Sequence, residues 1–211
     1  MALSKEEKFW SSSFGAKYVE RNKFSNKELD QLYIKNFGIT RSKLNKEFLG
    51  KQKLKSILEV GSNIGNQLVL LQSQGFKSLY GIEVFPKAVE IAKECTKGIN
   101  IIQGSAFDIP FRDKYFDLVF TAGVLIHINP KDIKRAMKEI YRVSGKYIWG
   151  YEYYNPKYIG VDYRGNKARL WKGDFCQMYL DLFRDLKVVK REKLKYLNSD
   201  NHDEMFLLKK K

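Results

Sequence analysis

The stretch Ser56-Ile57-Leu58-Glu59-Val60-Gly61-Ser62-Asn63-Ile64-Gly65-Asn66 constrains this chain more than any other. An apolar run ends in an acid and two spaced glycines, and Gln67-Leu68-Val69-Leu70-Leu71 follows with helical character. A buried strand that breaks into a low-bulk turn and then a helix opens a βαβ unit. Such a turn at the carboxyl end of a central strand lets a ligand approach the backbone. Counting G-x-G-x-x-G from Gly61 puts Asn at both 63 and 66, so the loop does not suit a dinucleotide. It suits G-x-G-x-G with Asn63 in the middle, because Asn is the side-chain-bearing residue that best tolerates left-handed backbone.

The rest of the chain continues the alternation. Apolar runs predict strands at 56–60, 78–82, 100–103, 116–121 and 147–151, with helices at 67–74, 86–95 and 130–143 between them. A further helix is expected at 175–183, then strands at 187–194 and 204–208 as an antiparallel hairpin at one edge. The fold class is therefore α/β, Rossmann-like, with a mostly parallel seven-stranded sheet and helices on both faces. Residues 1–50 carry aromatics at helical spacing, including Trp10, Phe14 and Tyr18, and predict a helical lid. With 211 residues, one domain is expected: lid 1–50 and core 51–211, with a substrate loop at about 152–174.

Composition narrows the function. The formal net charge is +15, but the lysines are scattered rather than gathered in a stripe, which predicts a solvated basic surface and no specific nucleic-acid partner. No run approaches the ~20 apolar residues of a membrane span, and a charged amino end predicts a cytoplasmic protein without membrane insertion. Cys95 and Cys176 stand apart, so both are expected as buried thiols, with neither a disulfide nor a metal site.

Glu83 ends the second strand about twenty residues beyond the loop, where an acid can accept hydrogen bonds from both hydroxyls of a ribose. Gly104-Ser105-Ala106-Phe107-Asp108-Ile109-Pro110-Phe111 and Phe116-Asp117-Leu118-Val119-Phe120 follow. In this order and spacing, residues 56–151 resemble the class I S-adenosylmethionine-dependent methyltransferases. The resemblance implies S-adenosylmethionine as cofactor, S-adenosylhomocysteine as product and no metal. It places Glu59, Gly61, Asn63 and Gly65 around the methionine part, Glu83 on the ribose, Val84 beside the adenine, and Ser105, Ala106 and Phe107 at the adenine edge. From the lid, Tyr18 or Arg21 is expected at the methionine carboxylate.

A further resemblance runs through "FGAKYVERN", "LEVGSNIGNQL", "GVLIHINP", "EYYNP" and "YRGNKARLWKGDF" to the pseudaminic acid biosynthesis-associated methylases. It implies methyl transfer to a sugar, nucleotide-sugar or sialic-acid-like acceptor. Methyl transfer needs alignment first and a base only to take the acceptor's proton. His127, after the fourth strand, is either that base or a packed residue capping its loop; Glu152 either orients an amine or takes a proton, or is a solvated loop acid. Tyr153 and Tyr154 are expected as walls of the acceptor site, and Arg164, with Lys167 and Arg169 assisting, as the anchor for an anionic group. Two other classes stay open. One is a nucleic-acid methyltransferase, for which neither an Asn/Asp-Pro-Pro-aromatic motif nor a Pro-Cys nucleophile is present. The other is a cofactor-binding protein without turnover.

Overall fold

The structure is a computed structural model, and it describes residues 4–211, with the side chains of Lys167 and Ala168 outside the description. Four helices come first: α1 (Lys5–Trp10), α2 (Ser13–Arg21), α3 (Asn26–Phe37) and α4 (Arg41–Leu49). Each is started by a hydroxyl. Ser4 and Ser25 form capping boxes with Glu7 and Glu28, and Ser12 and Thr40 accept a backbone N–H each.

The core alternates β1 (Ile57–Val60), α5 (Asn66–Ser73), β2 (Leu79–Glu83), α6 (Pro86–Cys95), β3 (Ile99–Gln103), β4 (Phe116–Ala122), α7 (Ile133–Val143) and β5 (Ser144–Tyr154). It continues through β6 (Ile159–Tyr163), β7 (Asn166–Lys172), α8 (Phe175–Leu182), β8 (Leu186–Lys195) and β9 (His202–Lys210). The main sheet has the order β3-β2-β1-β4-β5-β9-β8, parallel from β3 to β5, with β9 antiparallel between β5 and β8. Strand order reverses at β1 and β4, and ligands of such sheets bind at the carboxyl ends beside that switch point.

Period-two alternation divides the core into two layers. Leu58, Val60, Val119, Ile148, Phe206 and Leu208 pack against α7 and α8, whose apolar positions Ile133, Ala136, Met137, Ile140 and Val143 recur at helical spacing. Ile57, Leu118, Phe120, Trp149, Tyr151, Met205 and Leu207 face α3, α4 and α5 on the other side. Edge strand β8 is half-exposed and studded with Lys and Arg, which discourages pairing with another sheet edge and uses part of the basic surplus.

Two sequence expectations change. Residues 152–174 are not an irregular loop: they hold the end of β5 and the hairpin of β6 and β7, which pair through Ile159↔Lys172 to Tyr163↔Asn166. Arg164 and Gly165 form its two-residue turn, both at positive φ (50° and 78°), as the twist of a tight hairpin demands. Of the cysteines, Cys176 is buried but Cys95 is exposed. No helix among the described residues is long and apolar enough to cross a membrane.

Candidate functional site

A cavity of about 350 Å³ lies over the carboxyl ends of β1, β2, β4 and β5 and is roofed by α1, α2 and α3. Its first end is built from backbone. Gly61, Asn63 and Gly65 all take positive φ, at 73°, 48° and 86°, so Asn63 does adopt the left-handed conformation its sequence position called for. A Cβ on Gly61 would stand 2.7 Å from Val124 Cγ2, and one on Gly65 2.9 Å from Ile101 Cδ1, so the turn closes this tightly only with glycine.

Two acids flank the turn. Glu83 Oε2 accepts the Asn63 N–H and Oε1 the Phe85 N–H, both at 2.9 Å. Burial raises its pKa despite those bonds. Glu59 is 2% exposed, and burial holds its pKa well above the usual carboxylate range against the pull of Arg41. Its Oε2, like Ser62 Oγ, has no hydrogen-bond partner among the described residues. Buried polar atoms are ordinarily paired, so a cationic or hydroxyl-bearing ligand fits here. The ammonium and ribose diol of S-adenosylmethionine are donors that match these acceptors.

Val84, Ala106 and Phe107 line the cavity beside these acids, as does Tyr18 from α2. Ser105 and Arg21 do not. The Ser105 hydroxyl accepts the Phe107 N–H at 3.0 Å and so shapes its own turn. Arg21 is exposed on the outer face of α2, with its guanidinium 5.8 Å from the Phe14 ring.

The other end is built from side chains. His127 closes the 3-10 turn Leu125–His127, is 9% exposed, and bonds through Nδ1 to the Arg169 carbonyl at 2.8 Å. That carbonyl accepts only if Nδ1 carries the proton, which leaves Nε2 as the basic nitrogen. Burial pushes the pKa down to about 4, so the ring is neutral at pH 7. Trp10 and Tyr163 pack on it with ring centroids 4.6 and 5.0 Å away.

Four acceptor-site expectations are corrected. Side chains alternate along β5, so Tyr151 and Tyr153 reach the cavity while Glu152 and Tyr154 point to the opposite face. Glu152, 1% exposed, accepts the Val124 and Ile126 N–H groups at 3.2 and 3.4 Å, and burial raises its pKa to about 7. It holds the turn that carries His127 rather than touching the cavity. The Tyr154 hydroxyl accepts from Lys193 Nζ at 2.8 Å. Arg164 is exposed at the hairpin tip, where its positive φ and Gly165 serve the turn. Arg169 contributes its carbonyl, while its guanidinium covers the Phe9 ring at 4.5 Å. Lys167 has a side chain outside the described residues.

Sequence reasoning missed Tyr33, Tyr163, Tyr196 and Asp203, which line the cavity, and Arg41, which is fully buried behind it. Arg41 donates to Tyr33 Oη at 2.7 Å and Asn45 Oδ1 at 2.8 Å, and lies over the Trp149 and Tyr151 rings. Asp203 could have been found from the alternation of Asp203, Met205 and Leu207 on one face of β9, had that strand been started before Glu204. In a chain of net charge +15, the described lining holds five carboxylates (Glu6, Glu7, Glu59, Glu83, Asp203) and no Lys or Arg.

Residues 58–147 match a protein family described as a methyltransferase domain. Among curated relatives, a probable tRNA methyltransferase 9B of Mus musculus is 30% identical over 125 residues, 56% of this chain and 27% of that protein. Norajmaline N-methyltransferase of Rauvolfia serpentina is 27% identical over 99 residues, 44% of this chain and 33% of that protein. The aligned region thus spans about a third of such relatives' length. The 1,6-didemethyltoxoflavin-N1-methyltransferase of Burkholderia thailandensis, solved with 1,6-didemethyltoxoflavin and S-adenosylhomocysteine, superposes with a TM-score of 0.70 at 12% identity, covering 100% of this chain and 92% of that one. The fold is that of the class I S-adenosylmethionine-dependent methyltransferases.

Proposed function

We propose that this protein is an S-adenosylmethionine-dependent methyltransferase whose acceptor is a small, polar, non-anionic molecule held under the N-terminal helices. One observation carries the reading: the positive-φ loop and the acids Glu59 and Glu83 share a single cavity with His127 and a tyrosine wall. Glu59, with its unpaired Oε2, would hold the ammonium of the cofactor, and Glu83 the ribose, giving up or sharing the N–H groups it now accepts. S-adenosylmethionine supplies a methyl group on a cationic sulfur, open to in-line displacement. His127, neutral and with Nε2 free to accept, takes the proton of the attacking group. Trp10 and Tyr163 pack on the imidazole, and Phe14 on Tyr163, so the ring sits in an aromatic surround. Positioning supplies most of the acceleration in such a displacement.

The resemblance to the pseudaminic acid-associated methylases supports a sugar-like acceptor, and the tyrosines offer ring faces with polar tips to one. With no cation in the described lining, an anionic group would have to lie outside the cavity. The same acidity weighs against threading a phosphate backbone through it, although one relative is named for tRNA.

Titration calorimetry with S-adenosylhomocysteine tests the cofactor assignment. The protein should bind it, and Glu83→Ala should weaken binding at least ~tenfold, the scale of one lost charge-assisted hydrogen bond. Absence of binding by the unmodified protein, or unchanged affinity in a folded variant, overturns the reading.

A further inference from the structure

The acceptor end holds a carboxylate with an unused oxygen. Asp203 is 1% exposed, its Oδ2 accepts the Tyr151 hydroxyl and, at 3.1 Å, the Tyr196 hydroxyl, and its Oδ1 has no hydrogen-bond partner among the described residues. Burial raises its pKa to about 6, which still leaves it ionised at pH 7. Asp203 is part of the cavity lining, and a buried carboxylate oxygen without a donor is costly, so this position calls for a ligand that donates.

The surroundings narrow the kind of donor. Arg41 and Lys172 both favour the ionised form of Asp203, but neither is ion-paired to it among the described residues. Arg41 is committed to Tyr33 and Asn45 and lies behind the cavity wall. Lys172 donates to Asn201 Oδ1 at 2.6 Å and lies 5.9 Å from the Tyr153 ring. Tyr33, Tyr151, Tyr153 and Tyr196 complete this end of the cavity, with the Tyr33 and Tyr151 rings 5.4 Å apart. Arg41 already lies over one face of the Tyr33 and Tyr151 rings, at 5.4 and 4.6 Å, so the attraction for a further cation comes first from the carboxylate charge and second from the ring faces left open.

We infer that the acceptor carries a protonatable amine, seated as an ammonium on Asp203 Oδ1 within the cage of Tyr33, Tyr151, Tyr153 and Tyr196. This rests on the methyltransferase reading above and specifies its substrate class. An ammonium donates to Oδ1 and offsets the carboxylate charge. An acetylated nitrogen keeps one donor and loses the charge, and a carboxylate or phosphate brings repulsion. The amine serves as the handle by which the acceptor is oriented along the wall that runs from Asp203 and Tyr153 to Tyr163 and His127.

The test uses the full chain saturated with S-adenosylhomocysteine and a panel of small amines, glucosamine and ethanolamine among them, each paired with its N-acetylated twin. Binding is read by saturation-transfer NMR and competition. Free amines should bind at least ~tenfold more tightly than their twins, the scale of one charged hydrogen bond. In Asp203→Asn that preference should shrink to within about threefold, while affinity for S-adenosylhomocysteine stays within about threefold. If Asp203→Asn does not fold by circular dichroism, Tyr153→Leu takes its place and should weaken the amines, but not their twins, by about threefold or more. Equal binding of the twins, a preference that survives the substitution, or a panel in which no amine binds overturns the inference. Failure of the unmodified protein to bind S-adenosylhomocysteine would strike the methyltransferase reading instead.

Discussion

At one end of the cavity the shape comes from backbone: three residues at positive φ within five positions, two acids at strand ends, and donors supplied by N–H groups of the same loop. At the other end it comes from side chains delivered by distant elements, Trp10 from α1, Tyr33 from α3, Tyr151 and Tyr153 from β5, Tyr163 from β6 and Asp203 from β9. On the proposed function the first end binds what many chains bind, and a loop whose geometry depends on missing side chains leaves little room to vary. The second must match one acceptor, and a tyrosine or an acid on a rigid strand can be exchanged without altering the fold. The two ends meet at Val124, whose methyl groups pack over Gly61 and whose N–H is held by Glu152.

That meeting point offers the largest expected effect. Gly61→Ala must accommodate a Cβ 2.7 Å from Val124 Cγ2 at a φ of 73°, where a side chain alone costs ~1–2 kcal/mol. Displacing Val124 disturbs the turn that carries His127 as well, so both ends should suffer. We expect affinity for S-adenosylhomocysteine to fall at least ~100-fold by calorimetry. Asn63→Gly, which keeps the backbone conformation, should stay within about threefold. If Gly61→Ala leaves cofactor affinity intact, the loop does not hold the cofactor and the contrast between the two ends fails.

The same contrast explains what the sequence disclosed. The parallel sheet, the loop and Glu83 are local: strand, turn and helix are contiguous, and each carries its own pattern. Residues 152–174 lacked such a pattern because the hairpin signal Arg164-Gly165 is weaker than Asn-Gly and the flanking strands mix charge with aromatics. Glu152 and Tyr153 were both visible, but assigning them to one pocket overlooked the alternation that sends neighbours in a strand to opposite faces. The inward face of Asp203 was legible in the alternation of β9, but its place in the site was not, nor was that of Arg41, since their partners lie across the fold at Tyr151 and Tyr33. A carboxylate and an arginine count as surface residues until topology buries them.

Glu152 sharpens the comparison with an effect of intermediate size. Its pKa is raised by burial to about 7 in the native state, whereas an exposed glutamate titrates near ~4.3. Between these values the native protein holds a proton that the unfolded chain has released, so the contribution to stability is full at low pH and is lost as pH rises towards 7. Asp203, raised to about 6, acts in the same sense, and His127, lowered to about 4, in the opposite one. Glu152→Gln removes one of the three and leaves the others. Its stability relative to the unmodified protein, from denaturant titrations, should therefore rise by about 2 kcal/mol between pH 5 and pH 7. A flat difference would mean that Glu152 is ionised in the native state and acts as an anion on the turn. Cofactor affinity should change little, because Glu152 contacts the turn from the face away from the cavity.

The smallest effect belongs to the residue that the sequence made most suggestive. An arginine in "YRGNK" fits an anion clamp, yet Arg164 occupies the first of two positive-φ positions in a hairpin turn, its side chain exposed and its carbonyl accepting from Asn166 Nδ2 at 3.1 Å. Asn tolerates that backbone better than Arg does, so Arg164→Asn should leave stability unchanged or raise it by a few tenths of a kcal/mol, about 0.5 at most. The apparent Michaelis constant of an amine acceptor should stay within about twofold, since the charge anchoring it is Asp203 and no cation lines the described cavity. A tenfold rise in that constant, with stability unchanged, would show that the hairpin swings its tip over the bound acceptor. The acceptor end would then be completed only on binding, whereas the cofactor end is complete in the free protein.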